Sequence, residues 1–278
     1  MRMSVKTGPI LVLGAVLLVF APGGVLRAEN RSTPFTPLQL SIWNPVQLVP
    51  EEWGVCGARV NLPYGKNQAL YGVDVGFVNL VMGEGIAVQA GVLANLVSSN
   101  FIGVQAGLLN VMADGGKAVQ AGFMNCMVNG AGLQIGLGNV ADNGAVAQIG
   151  LFNLSTKDLA GLQVGGLGCM VHGQMNGLQI ASALIGGNSA GTLNGVQIGL
   201  SILPISMRDS TETTHVNNYA NSLNGIQIGL WCNRAVHARG LQLGLVNIAD
   251  RMSGVQIGLV NIIKESPVTF LPIINAYF

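Results

Sequence analysis

Three histidines and four cysteines are the residues of this chain whose chemistry most readily supports nucleophilic catalysis. A nucleophilic serine or cysteine needs a histidine base within hydrogen-bonding distance. His172, His215 and His237 are each distant in sequence from a candidate partner, and all three fall in segments predicted to be turns or an insertion. We therefore expect solvated loop histidines rather than a catalytic base.

The acidic residues do not form a pair suited to general acid–base catalysis. Glu51 and Glu52 are adjacent, so an extended strand would point them to opposite sides. Asp114, Asp142 and Asp250 occur in predicted turns, where we expect them to hydrogen-bond their own turn backbone. Calcium-binding nonapeptides and phosphate-binding glycine loops are absent from the sequence. The sequence predicts a non-enzymatic protein without cofactor or metal ligands.

The cysteines, Cys56, Cys126, Cys169 and Cys232, form no CxxC pair and have no histidine at metal-ligand spacing. Cys126 and Cys169 each lie six residues after a glutamine of a repeated phrase, three copies apart. Copies stacked at strand spacing would hold these two thiols too far apart for a disulfide. We expect the cysteines to act as small apolar fillers.

The repeated phrase itself is clearest as GVQAGLLN from Gly103 and as GVQIGLVN from Gly254. Its central polar residue, called the marker below, recurs mostly every 14 to 16 residues. Such a period indicates small units that become stable only by stacking on their neighbours. The markers are Asp74, which places a carboxylate in the rank, and a predicted structural ladder of glutamines: Gln89, Gln105, Gln120, Gln134, Gln148, Gln163, Gln179, Gln197, Gln227, Gln242 and Gln256.

Within each copy, aliphatic residues alternate with Gly, Gln and Gly, which is the period of a β-strand. We expect the Gly, Gln, Gly face to point outward and the aliphatic face to form the interior. Turn-forming clusters, such as the one from Ala113 to Gly116, separate the copies. An asparagine follows the marker by five residues in many copies, but Gly168, Leu184 and Ile202 replace it after Gln163, Gln179 and Gln197.

Two all-β architectures fit this pattern. In a β-solenoid each unit of about 15 residues is one coil, and like residues form ladders about 4.8 Å apart. In an outer-membrane up-and-down β-barrel each unit is one strand with its turn, with aliphatic residues facing lipid. The single period favours the solenoid, as does the asparagine, which always lies on the same side of its marker, whereas the apolar composition and the terminal Phe278 favour the barrel. We predict the solenoid, with the barrel as the alternative.

The N-terminal sequence predicts export. A basic start, an apolar core from Ile10 to Ala21 and a break before Ala28 are typical of a secretory signal, which we place at residues 1–28. Its removal would leave 10 basic residues against 12 acidic ones, which argues against nucleic acid as a partner. We assign an N-terminal cap to residues 29–55, the repeat domain to 56–264 and a closing strand to 265–278.

A polar insertion interrupts the repeats between Gln197 and Gln227, at residues 207–221. Loops that leave a repeat scaffold often carry partner contacts. A tolerated insertion without function fits the sequence equally well. On the first alternative, the contact residues would be Arg208, Asp209, Glu212, His215, Asn217, Asn218 and Tyr219.

Four segments together resemble the surface-repeat proteins known from Leptospira and other bacteria. These segments are GVQIGLVN, LQLSIWNPVQLVPEE from Leu38 to Glu52, NLPYGKN from Asn61 to Asn67, and the closing LPIINAYF. The resemblance implies an exported, surface-located bacterial protein without a settled biochemical activity. Our own prediction is a non-enzymatic protein of the outer membrane or cell surface with a scaffold or adhesion role. Its partners would be the outer membrane itself or host and envelope surface molecules. An outer-membrane pore or structural barrel is the alternative function.

Overall fold

The computed structural model describes residues 33–182, 185–208 and 213–278, of which the great majority lie in β-strands. The described residues contain no helix, and therefore none long and apolar enough to cross a membrane. The predicted signal at residues 1–28 lies outside the described residues. The strands are β1 (Phe35–Trp43), β2 (Val46–Gln47), β3 (Gly54–Asn67), β4 (Ala69–Val81), β5 (Gly85–Val97), β6 (Phe101–Met112), β7 (Gly116–Met127), β8 (Gly130–Ala141), β9 (Gly144–Ser155), β10 (Leu159–Ala181), β11 (Ile185–Gly199), β12 (Leu203–Arg208), β13 (Thr213–Val216), β14 (Asn218–Gly229), β15 (Cys232–Leu243), β16 (Val246–Ile263) and β17 (Phe270–Tyr277).

The coils stack in parallel with their markers in register. Gln105 of β6 lies beside Gln120 of β7, which lies beside Gln134 of β8. The same rank extends toward the N-terminus through Asp74 and Arg59. Gln39 of β1 is its first member. The solenoid prediction is confirmed, with about 14 turns. The up-and-down alternative is wrong, because it would make neighbouring strands antiparallel.

The orientation of the strand faces is opposite to the sequence prediction. The glutamine markers are fully buried, whereas aliphatic residues on either side of them, such as Val104 and Ile135, are exposed. The interior also holds large apolar side chains that share the inward face, including Phe101, Met112 and Leu159, each 0% exposed. Burying one such side chain contributes about 1.5–3 kcal/mol. The interior therefore combines an apolar cluster with ranks of amides.

The glycines of the phrase permit close approach between coils. Gly132, two residues before its marker, has a φ of +147°, and a Cβ there would lie 1.8 Å from the Ala118 carbonyl oxygen of the preceding coil. Gly122, two residues after its marker, leaves space for an amide. A Cβ there would lie 2.0 Å from the Gly107 oxygen and 2.6 Å from Asn110 Nδ2. The phrase Gln-x-Gly-x-x-Asn therefore supplies an asparagine amide and, in the next copy, the glycine that leaves room for it.

Antiparallel strands border the parallel stack. At the N-terminal end, β1 pairs in parallel with β3 and antiparallel with β2. At the C-terminal end, β17 runs antiparallel to β16. Pro37 in β1 and Pro272 in β17 each remove one backbone donor from these outer strands. This arrangement disfavours end-to-end pairing with another sheet.

The insertion forms a hairpin beside an unbroken stack. β12 and β13 pair antiparallel, with Ser206 opposite His215. β11 pairs directly with β14, so that Gln197 lies beside Gln227 although the two are 30 positions apart in sequence. The repeat therefore continues past the insertion.

Candidate functional site

The predicted glutamines form a continuous hydrogen-bonded ladder inside the solenoid. Each Nε2 from Gln105 onward donates to the Oε1 of the glutamine one coil nearer the N-terminus, at 2.7–2.9 Å. The second hydrogen of several side-chain amides reaches a backbone carbonyl of the same coil, as from Gln120 to Cys126 O at 3.0 Å. Because these amides are buried and engaged, they contribute to cohesion between coils rather than to an accessible surface.

A second ladder of asparagines runs beside the first and donates in the opposite direction. Asn110 Nδ2 donates to Asn125 Oδ1 of the following coil at 2.9 Å, and also to the Ala121 carbonyl at 2.9 Å. This pattern extends from Asn61 to Asn153 and again from Asn188 to Asn261. A coil that carries both residues therefore supplies one amide directed toward each end of the stack.

The asparagine ladder crosses the region where the sequence suggested that it failed. Gly168 and Ile202 do not occupy the asparagine rank, and Leu184 lies outside the described residues. The rank instead continues through Cys169, then Asn188 and Asn218, because longer corners shift the register. Sequence spacing from the marker missed these residues.

Cys169 occupies one position of the asparagine ladder. It accepts a hydrogen bond from Asn153 Nδ2, with a nitrogen–sulfur distance of 3.7 Å, and its thiol donates to Ile180 O at 3.4 Å. A thiol has no second hydrogen, and among the described residues the buried Asn188 Oδ1 has no hydrogen-bond partner. Cys126 lies elsewhere, in register with Val111, so the predicted equivalence of these two cysteines is wrong.

A buried ion pair begins the glutamine ladder. Asp74 accepts from Arg59 Nε at 2.9 Å and from Arg59 Nη2 at 2.6 Å, and both side chains are 0% exposed. The same carboxylate accepts from Asn61 Nδ2 at 2.9 Å and from Gln89 Nε2 at 3.0 Å. Arg59 Nη1 donates to Leu80 O at 2.9 Å. A carboxylate fits this place because it supplies only acceptors to the donors that converge there.

Part of the predicted recognition loop is interior. Asn217 and Asn218 are 0% exposed, and Tyr219 packs with Val216 and Cys232. Asn218 belongs to the asparagine ladder. Asn217 Nδ2 donates to Ser201 O, and its Oδ1 accepts from the backbone N–H of Trp231 and Cys232. These three residues are therefore unsuited to contact a partner.

The remaining residues of the predicted recognition loop belong to the β12–β13 hairpin or lie outside the described residues. His215 is exposed on β13, and Arg208 ends β12. Asp209 and Glu212 lie outside the described residues. Of the predicted recognition loop, only the hairpin between β11 and β14 remains a candidate contact site.

The other histidines and the turn aspartates also lie differently from the prediction. His172 and His237 are exposed but belong to strands β10 and β15 rather than to turns. Asp142 bonds Thr156 and Lys157 of the next coil instead of its own turn, with 2.7 Å to Lys157 Nζ. These hydrogen bonds to Lys157 and Thr156 lower the pKa of Asp142.

Asp114 and Asp250 bond side chains of other coils in the same way. Asp114 accepts from Asn129 at 3.3 Å, and Asp250 accepts from Arg234 at 2.9 Å. Within the described ranges, no group of three or more His, Cys, Asp or Glu side chains is arranged to hold a metal ion.

All four cysteines are free, and three of them are largely enclosed. Burial raises the pKa of Cys126 and of Cys232 to about 11, and that of Cys169 to about 12. Cys56 is exposed. The enclosed thiols are therefore protonated near neutral pH and are poor nucleophiles.

The outside of the solenoid carries a continuous apolar surface, which we call the outer face. It consists of the residues one before, one after and three after each marker, from Leu38 to Leu259. Gly166 and Ser182 are its only departures from aliphatic or phenylalanine side chains, and none of its residues is charged. Many of its side chains are substantially exposed, such as Leu108 at 54% and Phe123 at 55%. The sequence prediction that these ranks lie inside is therefore wrong.

Comparison of the chain with protein-family models, with curated proteins and with solved structures gives no match.

Proposed function

We propose that this chain is a non-enzymatic, exported repeat protein of the bacterial envelope or cell surface, with a scaffold or adhesion role. The observation that carries the proposal is the division of the repeat between its two faces. The polar repeat residues are used internally in the amide ladders, and the outer face is left uncharged and apolar. Extended apolar surfaces of soluble proteins mark sites of interaction.

The case for export and surface location comes from the sequence. The basic, apolar and small-residue order of residues 1–28 supports secretion. The segment from Leu38 to Glu52, the repeat and the closing LPIINAYF resemble bacterial surface-repeat proteins, which supports an envelope location. All four cysteines are unpaired in the described fold, so it contains no disulfide.

Cell fractionation tests this proposal. In a bacterial host the protein is expected in the envelope or at the cell surface, beginning after Ala28, and accessible to protease added to intact cells. N-terminal sequencing and protease protection measure these two properties. A cytoplasmic protein that retains Met1 contradicts the proposal.

The hairpin is the place where an adhesion role can be tested separately. Replacing residues 207–214 with Asn-Gly keeps Ser206 and His215 as a paired end and supplies a two-residue turn. Asn217, Asn218 and Tyr219 remain in place, so the ladder is preserved. If the hairpin contacts a partner, this variant loses binding to envelope or host surface preparations without losing stability. Unchanged binding shows that the hairpin is not the site of partner contact.

A further inference from the structure

We propose that the outer face is a self-association surface, on which a second copy of this chain packs face to face to form a closed dimer. The proposal deepens the scaffold role proposed above and rests on it. The partner of the outer face is a second copy of the same chain in the opposite orientation.

The area of the outer face matches what a stable dimer requires. At about 4.8 Å per coil, about 14 coils extend the face over about 65 Å, and its three ranks cover about 15 Å along the strands. The product is on the order of 1,000 Å², compared with about 800 Å² buried by each partner of a standard interface. The outer face is therefore larger than the largest apolar patch of a typical monomer, which is about 300–600 Å².

The repeat makes this face complementary to itself. In-register stacking places Val104 beside Val119 and Ala106 beside Ala121, so equivalent side chains form rows along the stack. Two copies carry rows of the same spacing, and the ranks of one can lie in the grooves of the other. A two-fold axis needs this kind of self-complementarity. Sheets that pack in this way lie about 10 Å apart.

The chemistry of the face favours a copy over a lipid surface. Proteins that lie on membranes combine an apolar face with Lys and Arg and use Trp and Tyr at the interface. The outer face contains no Trp or Tyr, and the adjoining rank, three residues before the marker, has Lys117 and Arg239 as its only cations. The outer face itself therefore carries no charge that would attract anionic lipid.

The ends of the stack direct the association sideways. β17 and the β1–β2 pair run antiparallel at the two ends, and Pro37 and Pro272 interrupt the donors of the outer strands. Extension by adding coils of another copy is thus disfavoured. Pairing through the outer face satisfies both copies at once and closes the assembly.

Light scattering with size-exclusion chromatography tests the dimer on the exported protein, which begins after Ala28. The expected mass is twice that of one such chain. Val119→Lys combined with Ile135→Lys places two cations in the centre of the outer face. Across the two-fold axis these cations face like charges, so the dissociation constant should rise by about 100-fold or more. Phe152→Lys is the matched control, because Phe152 is 58% exposed but lies outside the three ranks. It should leave the dimer unchanged.

Circular dichroism and urea unfolding establish that each variant retains the fold. A monomeric wild-type protein at tens of micromolar, or a dimer that survives the paired lysines, overturns the proposal. Flotation of the wild-type protein with neutral phosphatidylcholine vesicles, lost in the paired variant, identifies lipid as the occupant and also overturns it. The fractionation experiment is independent of these outcomes, so failure of the dimer is distinguishable from failure of the surface location.

Discussion

Replacing Cys169 with asparagine should stabilise the protein, because it completes the asparagine ladder. In the present structure the buried Asn188 Oδ1 has no partner among the described residues, since the thiol donates its one hydrogen to Ile180 O. An asparagine at 169 supplies two hydrogens, one for each acceptor. Its Oδ1 accepts from Asn153 Nδ2 in place of sulfur.

The magnitude follows from hydrogen-bond energetics. Satisfying a buried acceptor removes a penalty of about 1–3 kcal/mol, and a net hydrogen bond contributes about 0.5–1.5 kcal/mol. The space is suitable, because a Cβ on Gly165 would lie 2.8 Å from Cys169 Sγ, similar to the 2.7 Å between a Cβ on Gly91 and the Oδ1 of Asn95 at the equivalent place in its own coil. We expect a gain of about 1–2 kcal/mol in the free energy of unfolding.

Urea unfolding followed by circular dichroism measures this gain as a shift in the transition midpoint. Cys126→Asn is the matched control, because it places the same amide in an apolar cluster with Val111 and should be destabilising. The gain at 169 should also shrink when Asn188→Ala removes its acceptor, in a double-mutant cycle. A Cys169→Asn protein less stable than wild type, or a gain independent of Asn188, refutes the reasoning.

Three further predictions concern glycine, the ion pair and the thiols. Gly122→Ala should lower the free energy of unfolding by about 3 kcal/mol, whereas Gly138→Ala, whose Cβ meets only a flexible methionine side chain, should cost less in the same urea assay. Asp74→Asn should cost about 3–5 kcal/mol, and Arg59→Gln with Asp74→Gln should cost less than either single change, as measured by thermal unfolding. A thiol reagent at pH 8 should label Cys56 alone in the folded protein and four thiols after denaturation; equal labelling before and after contradicts the enclosure. Because burial raises the three enclosed pKa values from 9.0 to about 11–12, their contribution to stability is complete below about pH 9 and is lost as the pH rises through 11–12.

The direction of the strands could be predicted from the sequence. The asparagine follows the marker on the same side in copies such as those of Gln105 and Gln256, and this asymmetry survives only if neighbouring strands are parallel. Stacking of like residues then follows from the constant period. These two features account for the correct choice of a solenoid.

The inward face could not be read from alternation alone, because both faces of the strand contain apolar residues and glycine. Phe101, four residues before its marker, and Met112, seven after its marker, point inward with the glutamine. Side-chain volume does not decide the face either, because Phe123 lies on the outer face and is 55% exposed. Alternation gives the same weight to the smaller aliphatic residues, which the solenoid exposes.

Local changes of register hid the remaining ladder members. The pairing of β9 with β10 shifts between Gly165 and Gly168, so Cys169 aligns with Asn153 although it lies six residues after its marker. Asn188 and Asn218 follow still longer corners. Sequence distance from a marker does not define a rank where the chain inserts residues at a corner.

The opposite directions of the two amide ladders bear on how such a protein can evolve. Dipoles aligned within one ladder would add along the stack, but each complete coil contributes one glutamine and one asparagine dipole pointing to opposite ends. The net dipole of the two ladders therefore does not grow with the number of coils. A gene duplication that inserts one more unit meets the same donors and acceptors on both sides, so the length of the protein can change by unequal recombination without a new electrostatic cost.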